Sequence, residues 1–220
     1  ICSLKTLNKK NKGFLVVHLR MTGQFKLIDN KKPTCSHTRV RFFEKGSREL
    51  RFIDIRNFGQ MWYVPCSESV TESISGIKRL GPEPFSQDFN SDYLQKYLKN
   101  RKRSIKSSLL DQETVAGVGN IYADETLFDA GVNPKTESRK LKKDALKRIC
   151  KSLVRILKIS IGEGGTTFSD FRDLEGINGN YGGQALVYRR GGQNCKKCNG
   201  KILREKHCGR STHWCPNCQK

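Results

Sequence analysis

Asp111-Gln-Glu-Thr-Val-Ala-Gly-Val-Gly-Asn-Ile-Tyr-Ala-Asp-Glu125 is the stretch on which the fold of this 220-residue chain turns. Gly117 and Gly119 permit a tight backbone turn, because glycine reaches positive φ without steric cost. Asn120 is placed to cap the helix that follows, and the open amides at such a terminus suit a phosphate. Glycines and a cap alone would equally describe a plain packing corner between helices. Outward from this stretch the pattern stays helical, over residues 92–98, 105–110, 120–130 and 141–161. In the last of these, Leu141, Ala145, Ile149, Leu153 and Ile156 recur at spacings of three and four, which puts one apolar stripe on a lysine-rich helix. The lysines opposite are either a solvated face or part of a surface for a polyanion.

Upstream, residues 14–19, 24–28, 38–43, 49–53 and 60–64 read as short β runs separated by turn-prone residues. Several alternate apolar and polar side chains, as half-buried antiparallel strands do. Gly81-Pro-Glu-Pro84 opposes helix continuation and marks a domain boundary. Downstream, Gly164-Gly165-Thr-Thr opens a loop continuing through Gly176, Gly179, Gly182 and Gly183, too rich in glycine for a regular element. The expected class is α+β: a β-rich domain over 1–80, a helical domain over 81–184 and a short ribbon over 185–220.

Charge narrows the partner. The chain has 42 Lys+Arg against 21 Asp+Glu, a formal +21, which favours nucleic acid first and an anionic membrane surface second. No run of about 18 apolar residues suggests a spanning helix, and no leader pattern opens the chain, so a cytoplasmic location is expected. Of the nine cysteines, Cys2, Cys35, Cys66 and Cys150 are scattered, whereas Cys195, Cys198, Cys208, Cys215 and Cys218 crowd the end. Cys195-Lys-Lys-Cys198 and Cys215-Pro-Asn-Cys218 are two knuckles 16 residues apart, the spacing of a four-thiolate zinc ribbon. Four sulfurs leave no coordination position open, so the one zinc would be structural, with His207 and Cys208 as bystanders. Free cysteines or two redox pairs are the alternative, opposed by the lack of a neighbouring βαβ pattern. Within His207-Cys-Gly-Arg-Ser-Thr-His-Trp214, Arg210 is either held rigidly against a phosphate or is a loose surface arginine.

Leu110-Asp-Gln112, Val115-Ala-Gly-Val-Gly-Asn-Ile-Tyr-Ala-Asp-Glu125 and Gly131-Val-Asn-Pro134 together resemble the helix-two-turn-helix of formamidopyrimidine-DNA glycosylases. The terminal ribbon is similar to that family's zinc finger. His18-Leu-Arg-Met-Thr-Gly23, Asp54-Ile-Arg-Asn-Phe-Gly59, Leu80-Gly-Pro-Glu-Pro84 and Gly164-Gly-Thr-Thr167 follow its pattern in order, so the resemblance spans essentially the whole chain. It implies a usually monomeric base-excision repair enzyme that removes oxidised purines from damaged double-stranded DNA and cleaves the abasic site by elimination. In that family an N-terminal proline amine forms a Schiff base with the sugar, assisted by a glutamate and a lysine. All three are expected upstream of Ile1, so the β-rich domain is read as incomplete and the 220 residues alone as inactive.

Carried over residue by residue, Met21, Arg56 and Phe58 match the family's void-filling trio, a set suited to wedging a base step. Core packing is the alternative for Met21 and Phe58 taken alone. By the same resemblance His37, Arg56, Arg101, Lys106 and Asn120 contact DNA, Arg210 assists the second elimination, and 164–183 forms a flap over the flipped base. Ile55 and Asn57 depart from the Pro and Arg of some relatives. The competing reading is a non-catalytic zinc-ribbon DNA-binding protein. An RNA- or ribosome-associated ribbon protein would explain the charge but not the wedge trio.

Overall fold

The structure, a computed structural model, describes residues 2–5, 11–43, 45–166, 174 and 178–220. Its contacts divide the chain into two units, Ile1–Lys78 with Glu163–Gly182, and Arg79–Gly162 with Gly183–Lys220.

In the first unit the alternating runs become β2 (Asn11–His18), β3 (Gly23–Asp29), β4 (Thr38–Phe43), β5 (Arg48–Asp54) and β6 (Gln60–Pro65), preceded by β1 (Cys2–Lys5), which the sequence pattern does not announce. The expectation of one antiparallel sheet region becomes two three-stranded antiparallel sheets, ordered β1-β2-β6 and β3-β5-β4. The chain crosses between them twice, at residues 19–22 from β2 to β3 and at residues 55–59 from β5 to β6. Alternation sends Val16, Phe52 and Val64 inside, and Phe25 packs on Phe52 with ring centroids 5.2 Å apart. Arg51 is buried too. Its charge is met by Glu49 and its Nη1 donates to the Pro33 carbonyl at 2.7 Å, so no ionised group is left uncompensated there. Two short helices, α1 (Val70–Ser73) and α2 (Ser75–Lys78), close the unit's main run.

The second unit holds α3 (Ser91–Leu98), α4 (Ile105–Leu110), α5 (Asn120–Ala130), α6 (Lys143–Gly162) and the antiparallel hairpin β7 (Leu203–His207) and β8 (Arg210–Trp214). Asn90 starts α3 by accepting the amides of Asp92 and Tyr93, and Ser104 starts α4 by accepting that of Ser107. Gly131, at φ 68°, ends α5 in the left-handed conformation that glycine adopts most readily. Helix α6 begins at Lys143 rather than at Leu141, because Leu141 is extended after a 3-10 turn at Ser138–Lys140. Of the predicted stripe, Ile149 and Leu153 are buried against Leu94, Leu98, Ile105, Leu109 and Leu127 of the other helices and Ile156 is buried as well, whereas Leu141 and Ala145 are only partly buried and Leu146, one position on, takes the fully buried place. Each such side chain contributes about 1.5–3 kcal/mol relative to exposure. A smaller core of Phe128, Val187, Cys195, Ile202 and Cys215 seats the cysteine-bearing hairpin on α5. Among the described residues no helix is long and apolar enough to cross a membrane.

Candidate nucleic-acid interface and metal centre

The two sheet-crossing turns of the first unit bring three of the expected residues together. Met21 is 74% exposed and Phe58 57% exposed, so neither is a core residue. Arg56 lies between them, its Nη1 3.0 Å from the Met21 sulfur and its guanidinium 5.1 Å from the centroid of the Phe58 ring. Large apolar side chains held side by side in water mark an interaction surface rather than a packing need. Asp54, buried at the end of β5, holds the two turns to one another. One carboxylate oxygen accepts the Thr22 hydroxyl at 2.5 Å and the other accepts the Gly59 amide at 2.7 Å, while the Thr22 hydroxyl oxygen accepts the Arg56 amide at 3.1 Å. The Thr22 hydrogen bond, outweighing burial with help from backbone amides, keeps the Asp54 carboxyl below its ordinary range. Asn57 sits at φ 56°, a left-handed conformation that asparagine tolerates better than most residues. His37 is half-buried beside β4, and its carbonyl accepts the Asp54 amide at 3.0 Å. Thr22 and Asp54 stand in two of the motifs that carry the resemblance, but the sequence gives neither a role. An Asp at a strand end ahead of a turn, the Asx pattern, is the local signal that points to a structural role for Asp54.

In the second unit the turn before α5 is built as expected, with Gly117 at φ 77° and its amide donating to the Gln112 side chain at 2.8 Å. The cap is different. Gly119, not Asn120, is the extended residue preceding α5, and it supplies no side-chain acceptor. Asn120 is the first helical residue, which turns its amide group away from the helix's own N–H groups to donate to the Ser211 carbonyl at 2.9 Å. Lys106, on α4, is 1% exposed, and its ammonium meets the Asp124 carboxylate at 2.6 Å, the Ser211 carbonyl at 2.8 Å and the Thr212 hydroxyl at 2.8 Å. Its ammonium is thus turned inward, away from any phosphate at the surface. Desolvation lowers the Lys106 pKa, and the Asp124 charge opposes that shift. Asp124 also accepts the His213 amide at 2.9 Å. Next to the doubly gripped Ser211 stands Arg210, exposed at the start of β8 after the positive-φ pair Cys208 and Gly209, with no side-chain partner among the described residues. Arg101 lies elsewhere, on the α3–α4 connection, its guanidinium 4.5 Å from the Tyr97 ring centroid. Glu125, buried on α5, accepts the amides of Leu186, Val187 and Tyr188 at 2.9, 2.9 and 2.8 Å, which fixes the chain as it enters the hairpin. Burial raises its carboxyl even against those three amides.

The Sγ atoms of Cys195, Cys198, Cys215 and Cys218 all lie within 4.8 Å of one another. Cys195 and Cys218 are 3.8 Å apart and Cys198 and Cys215 3.5 Å, close to the ~3.8 Å edge of a tetrahedron of sulfurs at metal–sulfur distances of ~2.3 Å. The four can hold one metal ion. Gln219 ties the second knuckle to the end of α5, accepting the Cys215 amide at 2.8 Å and donating to the Val132 carbonyl at 2.9 Å. His207 instead reaches the Ser104 hydroxyl at 2.8 Å, and exposed Cys208 stands outside the cluster. Of the expected flap, residues 167–173 and 175–177 lie outside the described residues.

Two family models match: the formamidopyrimidine-DNA glycosylase N-terminal domain over residues 3–61, and the formamidopyrimidine-DNA glycosylase H2TH domain over residues 80–172. A formamidopyrimidine-DNA glycosylase of Prochlorococcus marinus (strain NATL1A) is 78% identical over all 220 residues, which span 78% of that relative. Another, from the same species (strain MIT 9211), is 65% identical over 207 residues, 94% of this chain and 72% of its own length. Among solved structures, the complex between the Lactococcus lactis Fpg and an abasic site containing DNA superposes with a TM-score of 0.85 at 31% identity, covering 94% of this chain and 74% of that one. The MutM (Fpg) protein of Thermus thermophilus gives a TM-score of 0.83 at 39% identity, over 93% and 75%. With identity this high along its whole length, the chain belongs to the formamidopyrimidine-DNA glycosylase family.

Proposed function

We propose that the protein excises oxidised purines, 8-oxoguanine and formamidopyrimidines, from duplex DNA by hydrolysing the N-glycosyl bond, and then cleaves the abasic site by elimination. The observation that carries this reading is the exposed row of Met21, Arg56 and Phe58. Two apolar side chains flanking a guanidinium, locked by Asp54 and Thr22, suit a wedge that unstacks a base step and fills the space of an extruded nucleotide. His37, Arg101, Asn120 and Arg210 bind the phosphate backbone, and Lys106 serves one step back, by holding the strand that carries Arg210. Cys195, Cys198, Cys215 and Cys218 hold one zinc ion, whose chemistry is structural: with four sulfur donors it braces the hairpin and leaves no position for a reacting water. The protein works as a cytoplasmic monomer.

The test is covalent trapping. Borohydride reduces a Schiff base between an amine and the sugar, and the family's amine is an N-terminal proline that none of the 220 residues matches. The 220 residues alone should therefore bind a lesion duplex without being trapped, and the same chain extended by the family's opening segment should trap and nick it. Equal trapping by the 220 residues would overturn the assignment of the nucleophile. Binding without trapping or nicking by the extended chain would return the reading to a non-catalytic zinc-ribbon DNA-binding protein.

A further inference from the structure

We propose that the groove between the start of α3 and the outer flank of α6 docks an acidic peptide segment of another protein, anchored by a bulky apolar side chain. The groove, about 550 Å³, is floored by Phe89, Cys150 and Val154 and walled by Lys147, Lys151 and Lys158. The floor is the outer edge of the helix core: Phe89 is a buried member of that core and Cys150 packs against it, while Cys150 and Val154 are half-buried, each one position beyond the fully buried Ile149 and Leu153. The walls are unneutralised. Lys147, Lys151 and Lys158 are exposed, and none forms an ion pair among the described residues. Of the groove's other groups, Arg155 is paired with Asp129. Near it, Asp92 at the start of α3 is paired with Lys143, and exposed Asp88 and Asp144 are the nearby acids outside the ion pairs seen among the described residues.

Charge complementarity calls for an anion, and the apolar floor decides which kind. Duplex DNA presents phosphates to such a row but has no apolar group to seat on Phe89 and Val154. An extended peptide has both. Its same-face side chains recur about every 6.6 Å, close to the ~6 Å rise between Lys147 and Lys151 on a helix. Carboxylates can then meet the lysines while an aromatic or large aliphatic residue fills the floor.

The experiment uses the full chain and a short fluorescein-labelled peptide of Asp and Glu carrying two Phe residues, with fluorescence anisotropy as the readout. Lys147→Gln/Lys151→Gln/Lys158→Gln should weaken peptide binding about tenfold, the scale of three exposed ion pairs together. Val154→Ser keeps every charge and should weaken the peptide several-fold while leaving affinity for a short duplex unchanged, which also reports that the variant is folded. Replacing both Phe residues of the peptide by Ser should abolish most of the binding. Retained binding by the Ser peptide, or an undiminished affinity in Val154→Ser, would show only general attraction between polyanion and polycation and overturn the proposal. So would competition by duplex for the groove, with the lysine triple substitution weakening duplex and peptide equally, since the surface would then belong to nucleic acid.

Discussion

Phe58 and Asp54 sit four residues apart and do opposite work. Phe58 is 57% exposed, so Phe58→Ala should change folding stability by no more than about 0.5 kcal/mol. It should nevertheless weaken binding to an abasic duplex more than to an intact one, measured by titration of both. Equal loss on the two duplexes would remove Phe58 from the wedge. Asp54 is the residue that keeps that ring in place. Its folded carboxyl titrates below the ordinary value of 3.8, so the stabilisation it contributes is fully present above that value and is lost as pH falls through the folded one. Asp54→Asn should accordingly flatten the acid limb of a stability-against-pH curve and loosen the turns at 19–22 and 55–59. An acid limb identical to that of the parent chain would show that Asp54 does not carry it. The trio itself was legible in the order of residues, by resemblance. Its exposure was not, since a Met and a Phe beside strands read equally well as core.

At the scale of elements, the hairpin is held to the helices by a buried charge, and the four-cysteine cluster lies at its far end. Removing one partner of a buried ion pair leaves the other uncompensated, so Lys106→Met should destabilise the second unit by about 3–5 kcal/mol, read by denaturant unfolding. Adding Asp124→Leu should recover part of that loss. If Lys106→Met proved neutral, the ammonium would not be bound as the structure has it. Metal analysis separates ligands from bystanders: Cys208→Ser should retain full zinc, and Cys215→Ser should lose it together with the hairpin's order, because binding and folding of such ribbons are coupled. Loss of zinc in Cys208→Ser but not in Cys215→Ser would refute the four-cysteine assignment. The knuckle spacing singled out the four cysteines that the structure clusters. The expectation that Asn120 caps α5 is corrected, since a single residue of register separates a cap from a first helical residue, and only the backbone angles at Gly119 decide between them.

For the whole molecule, a formal charge of +21 means that duplex affinity should fall linearly with the logarithm of salt concentration, by about 0.9 per phosphate neutralised. Arg210→Ala should lower that slope by about 1 and weaken intact and damaged duplex alike. An unchanged slope would make Arg210 a bystander. What the sequence by itself determined is what repeats locally: the five strand runs, most of the apolar stripe of α6, the turn at Gly117 and the four cysteines that cluster, all set by spacings within one element or one knuckle. What only the tertiary structure decided is where partners from distant segments meet. The Thr22 hydroxyl meets the Arg56 amide across 34 positions, and the Lys106 ammonium meets the Ser211 carbonyl across 105. A lysine's charge gives no local sign of whether it faces water or a buried carboxylate. That depends on which chain segment folds over it, and here the segment is the hairpin that carries Arg210.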